Sequence, residues 1–200
     1  MIDQAIRFAA TAHQGMVRKG NNQPYIFHPL EVLNLVSLMT LDDDILCGAI
    51  LHDTVEDTDV SIEDIKKEFG DRIAQLVAYE SEDKRGGINK AATWKDRKQE
   101  TINTIKGLED KGAMMICLAD KVSNLRSFHL GLLDKGEEFW NVFNQKDPKM
   151  HYWYYNELRQ ALSPLKEYSV YKEFSFLIDT IFNKYIGENQ WWIANLKTMY

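Results

Sequence analysis

His52-Asp53 closes an apolar run, Ile45-Leu46-Cys47-Gly48-Ala49-Ile50-Leu51, where a buried imidazole and a buried carboxylate are costly without partners. By composition such a dipeptide is expected less than once by chance in this chain, so its weight comes from that setting. Adjacent side chains on a helix diverge by about 100°. One ion therefore takes both only from the edge between them, and further ligands must come from elsewhere. His28, directly before Pro29, and Asp120, within Leu118-Ala119-Asp120, are isolated polar residues in apolar surroundings and are the candidates. Two imidazoles and two carboxylates, with positions left for water, suit Mn²⁺, Fe²⁺ or Mg²⁺ better than a closed tetrahedral zinc site. Taken singly, each of the four also reads as a cap or a hydrogen-bonded core polar group.

Glu56 lies four residues after His52, and Asp57 four after Asp53. If the helix continues one turn, both carboxylates overhang the ion, where they can take a proton from a water and orient it for attack. An acidic helix C-terminus opposes the macrodipole, so a purely structural role is the less comfortable reading. From Leu118 onward, Asp120, Asn124 and Ser127 recur at helical spacing, apart from the apolar stripe of Leu118, Val122, Leu125, His129 and Leu132. A metal ligand at Asp120 puts Asn124 beside the substrate. Arg18-Lys19 stand ten residues before His28. Residues 84–98 hold Lys84, Arg85, Lys90, Lys95, Arg97 and Lys98 against one acid, Asp96. Such groups neutralise phosphates, and a guanidinium can also stack on a base; a solvated basic face is the plain alternative. His129 reads as structural, and no role attaches to His13 or His151.

The elements that must position these residues are helical. Ile2, Ala5, Ile6, Ala9, Ala10 and His13 share one helix face, and Gly20-Asn21-Asn22-Gln23-Pro24 is a loop. A helix opens at Pro29 and carries Val32, Leu35, Val36 and Met39. Asp42-Asp43-Asp44 suits the start of the His52 helix, and Ser61 with Asp64 forms a capping box. Ile73, Leu76 and Val77 mark another helix, residues 82–92 read as a loop, and helices resume over 93–108 and 114–133. Breaks are expected near Gly107–Gly112 and Asp134–Gly136. Most aromatic side chains, Trp140, Trp153, Trp191 and Trp192 among them, fall after residue 137, as helices cladding a core built by the first two-thirds.

The 200 residues are 44% hydrophobic with 11 Gly and 4 Pro, enough apolar material for one core and few turns. The expectation is an all-α fold in a single domain over 1–200: a metal-site core at about 1–133 and aromatic-rich helices at about 137–200. A net charge of −6 argues against a nucleic-acid or anionic-membrane binder. Cys47 and Cys117 sit in apolar runs without CxxC spacing and read as buried thiols in a reduced compartment. The start of the chain lacks a signal-peptide pattern, and no apolar run approaches a membrane span. A cytoplasmic protein of open oligomeric state is expected.

Together these stretches resemble the HD-superfamily hydrolase domain of RelA/SpoT-type alarmone enzymes, especially the stand-alone small alarmone hydrolases. The resembling residues are Ala9-Ala10-Thr11-Ala12-His13-Gln14-Gly15 with Arg18-Lys19, and Pro24-Tyr25-Ile26-Phe27-His28-Pro29. His52-Asp53-Thr54-Val55-Glu56-Asp57-Thr58, Phe69-Gly70, Thr93–Lys98, and Leu118-Ala119-Asp120-Lys121 with Asn124 and Arg126 complete the match. The resemblance implies one Mn²⁺ (Fe²⁺ or Mg²⁺ being alternatives) held by His28, His52, Asp53 and Asp120, with catalytic roles for Glu56 and Asp57. It also implies guanine-nucleotide contacts from Arg18, Lys19, Asn124, Lys95 and Arg97 and, by a looser match, Tyr154. The implied reaction is removal of the 3′-diphosphate of (p)ppGpp. Met16 and Cys117 depart from the family pattern, at Gln and Lys positions respectively, and 200 residues leave no room for a synthetase region. Rival readings are an HD phosphohydrolase acting on a nucleoside monophosphate or NADPH, and a non-catalytic nucleotide sensor.

Overall fold

Capping chemistry sets where the helices begin. Asp42 accepts hydrogen bonds from the backbone N–H groups of Asp44 (2.9 Å) and Ile45 (3.3 Å). Ser61 and Asp64 cap each other reciprocally, and Asp110 accepts from Gly112 N–H at 2.9 Å. Each such cap stabilises its helix by about 1 kcal/mol. The fold is taken from a computed structural model, which describes residues 1–80 and 93–186. It is built of α1 (Ile2–Ala12), α2 (Phe27–Ser37), α3 (Asp43–Leu51), α4 (Thr54–Asp57), α5 (Ile62–Phe69) and α6 (Asp71–Glu80). These are followed by α7 (Trp94–Lys106), α8 (Lys111–Lys135), α9 (Pro148–Ala161) and α10 (Ser169–Ile186). Short 3₁₀ turns cover Gly136–Val142 and Ser163–Leu165. Among the described residues there is no strand, only an isolated bridge between Val17 and Pro24. The all-α expectation holds.

α8 runs through the middle, packed by α2, α3, α6 and α10. Every residue from Gly112 to Asp120 is buried, so over this stretch the helix has no solvent face, and Asp120 enters the core with it. α3 is held between two apolar clusters. Leu46 and Ala49 belong to the large cluster around α8, while Cys47, Ile50 and Leu51 belong to a smaller one with Ala5, Ala9, Ile65 and Ile73. Full burial of Ile50 and Leu51 stabilises that seat by about 1.5–3 kcal/mol each. The result is a helix whose C-terminal end, bearing His52 and Asp53, is fixed from both sides.

Four local expectations need correction. α2 begins at Phe27, so His28 lies inside its first turn rather than ahead of it. α3 ends at Leu51 and the chain restarts as the short α4, so Glu56 and Asp57 are carried by a separate turn and not by a continued helix. α8 takes in Gly112 and Asp134, ending only where Gly136 adopts φ of 57°. The C-terminal helices build core as well as covering it, since Phe174 and Phe182 of α10 are fully buried in the large cluster. The loop at 82–92, with Lys84, Arg85 and Lys90, and the pair Trp191 and Trp192 lie outside the described residues. Both cysteines are buried and free. No helix among the described residues is long and apolar enough to cross a membrane.

Gly48 allows α3 its close approach to α6 and α8: a Cβ there would stand 3.0 Å from Leu76 Cβ and from Ile116 Cδ1. Gly48→Val is therefore expected to lower stability by about 1–3 kcal/mol through overpacking. Urea unfolding checks this as a lower midpoint at unchanged slope; an unchanged midpoint refutes the tight seat.

Candidate metal centre and its cavity

Four polar side chains from three parts of the fold meet at one point. His28 comes from α2, His52 and Asp53 from the end of α3, and Asp120 from buried α8. His28 Nε2 is 3.3 Å from Asp53 Oδ2 and 3.1 Å from Asp120 Oδ1. His52 Nε2 is 3.2 Å from the same Asp53 oxygen and 4.0 Å from the same Asp120 oxygen. Ligand atoms of His28, His52 and Asp120 all fall within 4.8 Å of one another, the spread a single ion spans.

The hydrogen bonds behind the rings say which nitrogens carry protons. His52 Nδ1 faces the Ala49 carbonyl at 2.8 Å and so must donate to it. Ser123 Oγ donates to Glu31 Oε2 at 2.6 Å, so His28 Nδ1, 2.8 Å from that hydroxyl, donates to it. Both Nε2 atoms are left with a lone pair, and both lone pairs face carboxylate oxygens. His52 Nε2 is buried without any hydrogen-bond partner. Three clustered acceptors, with Asp53 Oδ2 against both rings, fit a divalent cation, and the outer partners fix ring orientation.

The same carboxylates favour a proton on His52. Burial opposes a charge on His52, yet the Asp53 carboxylate outweighs it and raises the pKa to about 9. Burial likewise opposes ionising the two carboxylates. His52 beside Asp53, and the Lys121 ammonium beside Asp120, override it and hold both well below the usual carboxylate range. Lys121 forms a close ion pair with Asp120 Oδ2.

A cavity of about 360 Å³ opens on this cluster, lined by Asp53, Glu56, Asp57 and Asp120 and also by Arg18, Arg97, Lys98 and Lys121. The structure thus brings together both sequence-selected carboxylates, all the ligand candidates, Arg18, Arg97, Asn124 and Tyr154. Asn124 donates to Asp120 Oδ1 at 2.6 Å and accepts from Arg18 Nη2 at 3.0 Å. Tyr154 is buried with its hydroxyl unpartnered, and the Lys98 ammonium lies 5.2 Å from its ring centroid. Lys19 lines a neighbouring 590 Å³ cavity that shares Arg18, Tyr25, Asp57 and Asn124 with the first. Lys95 lines neither; it is exposed, with its ammonium 5.9 Å from the Trp153 ring.

Besides Lys121, which pairs with Asp120, sequence reasoning missed four participants. Tyr25 reaches both Asp53 and Asp57, at 2.6 and 2.7 Å. Burial and those two carboxylates raise its pKa, so it remains a phenol. His13 packs on the Tyr25 ring at 4.8 Å, and burial keeps it neutral. Ser123 orients His28, and Glu80 lines the cavity with its pKa pushed up to about 7 by burial. The only signal for Tyr25 and His13 was their place in the resembling stretches; Ser123 and Glu80 gave none.

Comparisons with known proteins place the chain in a family. A family profile described as an HD domain matches residues 5–142. The guanosine-3′,5′-bis(diphosphate) 3′-pyrophosphohydrolase of Aquifex aeolicus is 33% identical over 130 residues, covering 63% of this chain and 17% of that protein. A GTP pyrophosphokinase of Streptomyces coelicolor is 32% identical over 142 residues, covering 68% of this chain and 16% of that protein. The chain thus spans about a sixth of the length of these curated relatives. Among solved structures, a metazoan ortholog of SpoT, described as hydrolysing ppGpp with a role in starvation responses, superposes with a TM-score of 0.70. It is 26% identical, and the match covers 92% of this chain and 94% of that one. A Listeria monocytogenes protein superposes with a TM-score of 0.68 at 27% identity, covering 80% of this chain and 97% of that one.

A cation must displace the proton that His52 holds below its pKa of about 9. Mn²⁺ binding at pH 7 is therefore expected to release about one proton, with affinity rising roughly tenfold per pH unit and levelling off above pH 9. Calorimetric titration in buffers of different ionisation enthalpy measures this. Binding without proton release contradicts the assignment, as does unchanged metal content in His52→Ala.

Proposed function

This chain belongs to the HD domain family, and from that premise we propose that it is a Mn²⁺-dependent pyrophosphohydrolase acting on (p)ppGpp. The products are GDP or GTP and pyrophosphate. The observation that carries the reading is the convergence of three buried ligand atoms, with part-buried Asp53 against both imidazoles, at a cavity that also holds a carboxylate pair and a set of cations. The SpoT ortholog described as hydrolysing ppGpp is matched over 94% of its length, which supports the hydrolase reading.

His28, His52, Asp53 and Asp120 would hold the ion. Bound there, Mn²⁺ supplies Lewis acidity and neutralises phosphate charge. Asp57 and Glu56 take the proton from the attacking water, which adds to the phosphorus carried by the ribose 3′ oxygen. The P–O bond to that oxygen breaks, the 3′ oxygen regains a proton, and pyrophosphate departs. Arg97, Lys98 and Lys121 offset the phosphate charges, as charge-assisted donors do best in a partly dry cleft. Arg18 lies against the guanine, with Lys19, Asn124 and Tyr154 contacting the nucleotide. Lys98 takes the place first expected of Lys95, because it lines the cavity and Lys95 does not.

Asp57→Asn is expected to lower turnover about 10²–10⁴-fold while metal content is retained. The assay is purified protein with Mn²⁺ and ppGpp, the products resolved by anion exchange as GDP and pyrophosphate. Near-full activity in the variant removes Asp57 from the chemistry. Faster turnover of NADPH or a mononucleotide by the native protein overturns the substrate assignment, and ppGpp binding without turnover supports a sensor instead.

A further inference from the structure

A phenol carries a single hydrogen, yet Tyr25 Oη lies 2.6 Å from Asp53 Oδ2 and 2.7 Å from Asp57 Oδ2. Asp53 Oδ2 is also the oxygen that faces both imidazoles, at 3.3 and 3.2 Å. One hydrogen therefore stands between a ligand of the metal centre and the carboxylate assigned to proton transfer. We propose that Tyr25 is the positioning residue for Asp57: once Asp53 Oδ2 is committed to a cation, the phenol hydrogen turns to Asp57 Oδ2 and fixes that carboxylate. The chain thereby ties readiness of Asp57 to occupancy of the metal centre.

A positioning group must itself be held by something other than the groups it positions. Tyr25 meets that requirement. Its backbone N–H donates to the Met16 carbonyl at 2.9 Å, closing the turn bridged by Val17 and Pro24. Its ring packs on His13, tilted by 34°, and meets His28 edge-on at 6.0 Å. The Arg18 guanidinium lies 5.8 Å from its centroid. Both ring nitrogens of His13 are buried without partners, so what His13 offers here is its ring face. The competing role is an outer partner of Asp53 alone, and the two roles have different signatures.

Tyr25→Phe removes the hydroxyl and keeps the ring contacts, so it separates them. With Asp57 as the target, Mn²⁺ affinity is expected to stay within about threefold of native, unlike the about 10–100-fold loss typical of an outer partner acting on a ligand. At saturating Mn²⁺, kcat for ppGpp is expected to fall about 10²-fold with KM unchanged. A crystal structure of the Mn²⁺-loaded variant should show the Asp57 carboxylate displaced and Asp53 in place. The proposal is overturned if Asp57 stays in its native position in that crystal, or if affinity falls 10–100-fold while kcat at saturating metal is intact. The kinetic arm rests on the hydrolase reading, but the crystal and the metal titration do not. Failure of that reading shows as native protein that leaves ppGpp intact, and the position of Asp57 still decides the role of Tyr25.

Discussion

Two imidazole and two carboxylate lone pairs converging where an apolar core meets a cavity are repulsive unless something positive sits among them, and the architecture follows from that constraint. Asp53 Oδ2 stands 3.3 and 3.2 Å from the two imidazole nitrogens, and Asp120 Oδ1 stands 3.1 Å from that of His28 and 4.0 Å from that of His52. A proton on His52 relieves the repulsion partly, since it answers one lone pair and leaves the others facing each other. A divalent cation answers all four. The C-terminal end of α3 adds to the demand, because its last carbonyls present the negative end of the helix dipole at His52.

Holding such an arrangement requires the surrounding helices to be stiffer than the repulsion they contain. The large cluster around α8 and the smaller one behind α3 supply that apolar grip. A polar relay supplies direction. From His28 it passes to Ser123, then to Glu31, then to Arg126, which holds Glu173 of α10 through two parallel hydrogen bonds at 2.6 and 2.9 Å. The relay links α2, α8 and α10, so the orientation of one ligand ring depends on a helix far from the ion in sequence. The aromatic C-terminal helices thus bear on the site twice, α10 through this relay and α9 through Tyr154 in the cavity wall.

What could be read from the sequence is what local physics decides. Asp120 stood out because a lone carboxylate inside a continuous apolar run is expensive, and the caps at Asp42 and Ser61 stood out because their partners are two or three residues away. Tyr25 and Asp53 are 28 residues apart, and His28 and Ser123 are 95 apart; no periodicity announces such pairs. Choosing among the bases was a question of register. Once buried Trp94 fixes the inward face of α7, residues three and four further on share it, which puts Arg97 and Lys98 at the cavity and turns Lys95 about 100° away. A list of basic residues without the helix start could not make that distinction.

To take up a polyanion, a chain with a net charge of −6 would have to separate its charges within one cavity. Here the carboxylates gather around the metal centre, and the described cations Arg18, Arg97, Lys98 and Lys121 line the same space. Lys121 forms a close pair with Asp120, and Arg18 reaches Asp120 through Asn124, so two of the four cations are already tied to a metal ligand. An ion held there would redistribute the charge on Asp120 and with it the hold on Lys121 and Arg18. A cation and a phosphate group bound in this cavity would then be coupled through the protein as well as by direct attraction.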